Sequence, residues 1–216
     1  MDNFFDLYDL LIDGIDTAET VTRTFMGQCW TAVETEKSFG MAMATPVDTA
    51  PRMYEKDFIG MPLAELAKAA KSWNLREAGF GMAAVNAYYN TPKRLEALGA
   101  YEPFENYCTD GVDLQGKHIG VVGYLNMPES VYQQASSVRI LERSPRTGDY
   151  PDSACDWLLP QCDVVIITAS TLVNKTLPHL LELCQNAYTI LAGPSCPMCP
   201  ALLSLGIDRI AGLVVT

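Results

Sequence analysis

Positive charge is scarce in this chain: Lys and Arg number 15 against 26 Asp and Glu, a formal net charge of -11 over 216 residues. A nucleic-acid binder needs a basic face to displace counterions from phosphates, so this balance argues against that class. Histidine is scarcer still. His118 and His179 are the two in the sequence, too few for a zinc site built mainly from imidazoles. No apolar run reaches the roughly 20 residues that a bilayer-spanning helix needs, so no membrane partner is expected. The start, Met1-Asp2-Asn3-Phe4-Phe5-Asp6, is acidic and lacks the basic region of a signal peptide, which predicts a cytoplasmic protein. Repeats and low-complexity segments are absent.

What is present is the material of a globule. Apolar residues make up 49% and charged residues 19%, enough to bury a core in one large domain or two small ones. The seven cysteines are Cys29, Cys108, Cys155, Cys162, Cys184, Cys196 and Cys199. An odd number in a cytoplasmic chain predicts free thiols, not a disulfide framework.

Residues 4–15 carry Phe4, Leu7, Tyr8, Leu11 and Ile12 at helical spacing and stop at Gly14, which predicts a helix. Segments 19–27, 29–35 and 39–45 are rich in Thr, Val, Phe and Trp and predict a small antiparallel meander. Helices are expected over 62–73, which opens on Pro62, over 75–89, dense in Ala and Gly, and over 92–98; a connector is expected over 99–110. The pattern then changes. Short apolar runs at 117–123, 138–142, 163–169, 187–192 and 209–215 alternate with helical stretches at 128–135, 153–159, 174–184 and 200–205. That alternation predicts βα units and a parallel sheet covered on both faces. The chain ends directly after the last strand, which leaves a sheet face for a partner subunit to cover; a homodimer fits this, as does a naturally short or truncated chain.

In a doubly wound sheet the ligand sits beyond the carboxyl ends of the strands. That rule selects the segments following Gly123, Glu142, Thr168 and Gly193, together with Gly148-Asp149-Tyr150-Pro151-Asp152. Gly120 and Gly123 followed by Glu142 resemble a dinucleotide fingerprint, but a third glycine is missing and Met127-Pro128 occupies the turn, so nicotinamide binding is a distant reading. Thr168, Ser170, Thr171 and Asn174 either cap the next helix or hold an anionic group, and Ser195 invites the same two readings. Cys196-Pro197-Met198-Cys199 offers two soft metal ligands, half of what a closed site needs; the alternative is a pair of ordinary small side chains flanked by prolines. Asn86 and Asn90, four apart, share one face of the small-residue helix and are either satisfied core groups or cleft residues.

These segments, taken in order, carry a family resemblance. The runs Gly81-Met82-Ala83-Ala84-Val85-Asn86-Ala87-Tyr88-Tyr89-Asn90, Val121-Val122-Gly123-Tyr124, Glu142-Arg143-Ser144-Pro145, Gly148-Asp149-Tyr150-Pro151-Asp152-Ser153-Ala154, the run over 163–174 and Gly193-Pro194-Ser195 are similar to the putative heavy-metal chelation domain family. The N-terminal part resembles its companion, a domain like the N-terminal domain of enolase. The resemblance implies an α/β protein: an enolase N-terminal-like α+β domain over 1–98, followed by a Rossmann-like parallel-sheet domain over 99–216, with a polar cleft between them. It also implies a ligand that is a metal ion or a metal-chelating small molecule of pterin or flavin type. Cys196 and Cys199 depart from it, standing where the family usually has hydroxyl residues.

The resulting expectation is a cleft-binding protein of metal or metallophore metabolism. Asn86 and Asn90 enter from the N-terminal side, and Glu142, Asp149, Thr168, Ser170, Asn174 and Ser195 line the other. Two rivals stand beside it: a lyase or transferase acting on a heterocycle, with Glu142 or Asp149 as its acid or base, and a metal-delivery or redox protein using Cys196 and Cys199.

Overall fold

The computed structural model describes residues 4–54, 57–101 and 108–215. Met1 to Asn3, Glu55, Lys56, half of the expected connector (102–107) and Thr216 lie outside them.

The expected first helix is α1 (Asp6–Asp13), which buries Leu7, Tyr8, Leu11 and Ile12 on one face. Strands β1 (Arg23–Met26), β2 (Trp30–Glu34) and β3 (Phe39–Met43) form an antiparallel meander with Arg23 opposite Glu34 and Trp30 opposite Met43. The first strand is shorter than expected because the chain before it pairs elsewhere: Thr20 bridges Pro62, and Val21 donates to the Met61 carbonyl.

The expected helix over 62–73 is α2 (Leu63–Ala67) tightened into a 3-10 turn over Lys68–Lys71. Helix α3 (Leu75–Tyr89) follows, opened by Asn74, whose side chain accepts from the Arg76 N–H, and every residue from Glu77 to Tyr89 is buried. Its small residues explain how. A Cβ on Gly81 would lie 2.0 Å from the Ala70 nitrogen, and one on Gly40 of β3 would lie 2.1 Å from the Ala87 nitrogen, so backbone meets backbone on two sides of the helix. Helix α4 (Pro92–Ala97) closes this part.

The second part is a six-stranded parallel sheet of β4 (His118–Val122), β5 (Ser137–Glu142), β6 (Tyr150–Pro151), β7 (Val164–Thr168), β8 (Tyr188–Ala192) and β9 (Arg209–Ala211). Its order is β6-β5-β4-β7-β8-β9, the doubly wound arrangement, and the order reverses between β4 and β7. Helices α5 (Glu129–Gln134), α6 (Cys155–Leu158), α7 (Ser170–Val173) and α8 (Leu177–Leu183) fill the crossovers. The helix expected over 174–184 is α8, which starts only at Leu177 because Lys175, with φ 70°, ends the preceding α7 turn. The last strand ends at Ala211, because Gly212 lies against the Cys196 carbonyl and the Met198 side chain.

One apolar cluster runs through both parts, joining Tyr8, Leu11, Val33 and Ala83 to Ile167, Leu172, Leu191 and Cys196. The opposite face of the parallel sheet buries a second cluster around Ile119, Val121, Ile166 and Ile190. The meander and α3 are therefore docked onto one face of the sheet, beside the carboxyl ends of its central strands.

Candidate functional site

Where the meander meets those strand ends lies a half-open cavity of about 740 Å³. It sits at the reversal point between β4 and β7, where a doubly wound sheet leaves a crevice. The end of β4 contributes Val122, Gly123 and Tyr124; β5 contributes Leu141 and Glu142; β7 contributes Thr168 with Ser170 and Thr171. Gly123 has φ 87°, and a Cβ there would fall 2.3 Å from the Thr168 methyl carbon, so only glycine lets the two strand ends pass this closely. Pro194 and Ser195 follow β8 into the lining. The meander supplies the facing wall through Gln28, Cys29, Trp30, Met43 and Ala44.

Local hydrogen bonds set many of these side chains. The Glu142 carboxylate accepts from the Arg143 N–H at 2.9 Å. The hydroxyls of Thr168 and Ser170 are 3.1 Å apart, and Thr171 donates to the Thr168 carbonyl at 2.6 Å. Ser195 Oγ accepts from the Met43 N–H at 2.9 Å. At the rim, the Arg146 guanidinium stacks on the Tyr124 ring at 3.6 Å, and His179 Nε2 lies 2.9 Å from Asp156 Oδ1.

Five residues expected at the site, Glu142, Thr168, Ser170, Asn174 and Ser195, line this cavity. The other expected residues have different surroundings. Asn86 Nδ2 donates to the Met41 carbonyl at 2.7 Å, while its Oδ1 is buried without a partner among the described residues. Asn90 is a strut: Nδ2 donates to the carbonyls of Cys196 at 2.9 Å and Leu213 at 3.1 Å, and Oδ1 accepts from the Met198 N–H at 2.8 Å. These two amides hold backbone together, so neither joins the lining and the meander takes the place expected for them. Asp149 closes its own turn, accepting from the Arg146 N–H at 2.9 Å.

Cys196 and Cys199 are both buried and are not part of the cavity lining. The Cys196 thiol lies 3.5 Å from the Leu191 carbonyl as a donor, and burial pushes its pKa up to about 12. A metal binds thiolate, so this environment works against the Cys196 ligand role. Among the described residues no group of three or more His, Cys, Asp or Glu side chains is placed to hold a metal ion. The donor set that the described residues offer does not fit a bare ion in a protein cage.

The residue that sequence reasoning passed over is Lys175. It lines the cavity, is 6% exposed and stands at the turn between α7 and α8. Its Nζ is 3.3 Å from the Val173 carbonyl and 5.0 Å from the centre of the Tyr8 ring. Burial lowers its pKa to about 7. Pro178, in the first turn of α8, is the signal that could have moved the expected helix start past Lys175; the burial of the lysine left no trace in the sequence.

Comparison with known proteins agrees with this architecture. Two family models match, both described as "Putative heavy-metal chelation": DUF364 over residues 110–216 and DUF4213 over residues 8–89. An uncharacterized protein of Methanocaldococcus jannaschii is 31% identical over 185 residues, spanning 82% of this chain and 70% of its own length. A DUF364-family protein with unknown function from Desulfitobacterium hafniense superposes with a TM-score of 0.88 at 35% identity, covering 100% of this chain and 87% of that one. Another, from Pyrococcus horikoshii, gives 0.75 at 24% identity over 91% of this chain and 82% of that one, a likeness of fold.

Proposed function

This chain belongs to the DUF364 family, described as "Putative heavy-metal chelation", and we propose that it binds a small organic chelator, with or without its metal, in the cavity between the meander and the parallel sheet. The observation that carries this reading is the lining itself. A space of about 740 Å³ has an aromatic wall at Trp30 and polar side chains at Glu142, Thr168, Ser170 and Ser195. An apolar surface with a few convergent polar groups is how proteins hold planar heterocycles. A pterin- or flavin-like ligand fits that chemistry: its ring stacks on the indole, its exocyclic amine or hydroxyl donates to Glu142, and its oxygens receive the hydroxyl protons of Ser170 and Thr168.

The donor set supports a chelate over a bare ion. Cys196 holds its proton firmly, and no other group of ligands gathers among the described residues. In this reading the organic ligand supplies most of the metal's donors and the protein recognises the complex as cargo.

Native mass spectrometry of the protein from its own cells, with elemental analysis of the same sample, tests this. The expected result is an added organic mass, accompanied by metal, that disappears in Glu142→Gln and Trp30→Ala. Metal without organic mass, retained in both variants, contradicts it.

A further inference from the structure

Lys175 occupies a backbone position that suits glycine. The Thr176 N–H donates to the Thr171 carbonyl at 3.1 Å, the bond that closes a helix with a left-handed residue just past its end. Lys175 is that residue, with φ 70°, the single positive φ outside glycine among the described residues. A lysine pays a steric cost in this left-handed region that glycine does not. Asn174 holds the turn, its Oδ1 accepting from the Thr176 N–H at 3.1 Å and the Thr176 hydroxyl at 2.7 Å. Lys175 is 6% exposed and stands among the residues that line the cavity.

Among the described residues the buried amine has no carboxylate partner. From α1 the amine meets the ring of Tyr8, whose hydroxyl is committed to the Leu172 carbonyl at 2.8 Å. From α7 it meets the Val173 carbonyl. The titratable groups of α6 and α8 that share the cavity are Cys155, Asp156 and His179, and Asp156 faces His179. No ion pair involves Lys175 among the described residues, and burial is the one cause lowering its pKa to about 7. A large share of the amine is therefore neutral at physiological pH and keeps its lone pair. A buried amine without a counter-ion, on a strained backbone, is costly to a fold and useful to a site.

We propose that the Lys175 Nζ is the reactive nitrogen of this cavity and that the site accepts small molecules bearing an aldehyde or ketone, held as an imine. The assignment rests on the cavity being the ligand site proposed above. The nitrogen lone pair forms a bond to the carbonyl carbon, and a proton moves from nitrogen to oxygen. The resulting carbinolamine loses water, so amine and carbonyl become imine and water with no oxidant or reductant. The Ser170 hydroxyl, on the helix that precedes the turn, lines the cavity and can donate to the departing oxygen.

The test uses the full chain with glyoxylate and cyanoborohydride at pH 7.5, followed by peptide mapping of all seven lysines. The neutral fraction at Lys175 exceeds that of an ordinary lysine on the order of several hundred-fold, so most of the early label is expected there. Lys175→Met, similar in length and without an amine, should lose that label and leave the others unchanged. If this variant does not fold, mapping of the wild-type protein in buffer and in urea decides alone. Label spread over exposed lysines, with Lys175 modified only in urea, overturns the assignment. Saturating pterin carboxylate separates the two proposals. Label on Lys175 without binding of pterin keeps the reactive amine and removes the pterin reading; binding of pterin without label on Lys175 does the reverse.

Discussion

Ser195 Oγ accepts a hydrogen bond from the backbone N–H of Met43 at 2.9 Å, and this bond ties the edge of the meander to the loop after β8. Both residues line the cavity, so it closes one corner of the space between the two sheets. Ser195→Ala leaves that N–H without its acceptor and is expected to cost about 1–3 kcal/mol. Urea unfolding measures it. A change within about 0.5 kcal/mol, as for a surface position, would show that the two sheets are held elsewhere.

Asn90 spans a longer gap in the same way, joining the end of α3 to Cys196, Met198 and Leu213. Asn90→Leu removes three hydrogen bonds and strands their backbone partners, for an expected loss of about 3 kcal/mol or more. Because the amide is spent on backbone, ligand affinity per folded molecule should stay within about two-fold, a shift of roughly 0.4 kcal/mol. Titration of folded variant at low temperature checks this; a loss of affinity without loss of stability would return Asn90 to the ligand-contacting set.

Lys175 predicts a pH signature. Its folded pKa of about 7 lies below the unfolded value of 10.5, so the unfolded chain holds more protons between those limits and stability rises with pH across that window. The penalty is full below about pH 7. Lys175→Met removes it, and the variant is expected to exceed the wild type by on the order of 4 kcal/mol at pH 7, with the gap closing toward pH 10. Paired denaturation curves from pH 6 to 10 read the difference directly. A constant or reversed gap would mean that the amine is charged and compensated in the native protein.

How much was legible beforehand follows from where each signal resides. The run Val164 to Thr168 and its alternation with helices gave the parallel sheet, because burial on both faces writes itself as continuous apolar sequence. The strand-end rule then reached Glu142, Thr168, Ser170 and Ser195. Trp30 was out of reach, since its place depends on how two sheets dock and not on the strand that carries it. Asn86 and Asn90 shared a helical face as the spacing said, but which carbonyls they would meet is a long-range property. Lys175 was hidden by a lysine standing where glycine usually announces the end of a helix.

The thiols make a further prediction. Cys29 is exposed and lines the cavity, whereas the other six are buried. One equivalent of dithionitrobenzoate should react rapidly with native protein, and peptide mapping should find it on Cys29. Rapid reaction of Cys196 instead would reinstate the Cys196/Cys199 pair as an accessible metal or redox site.

The measurement that bears most directly on the cavity is isothermal titration with zinc alone, pterin carboxylate alone and their equimolar complex, for wild type, Trp30→Ala and Glu142→Gln. The account predicts one site for the organic ligand or its complex, weakened at least about ten-fold in either variant, as loss of a buried aromatic or charged anchor entails. It also predicts no stoichiometric binding of zinc alone. Tight zinc binding that both variants retain, with no response to the organic ligand, would contradict it.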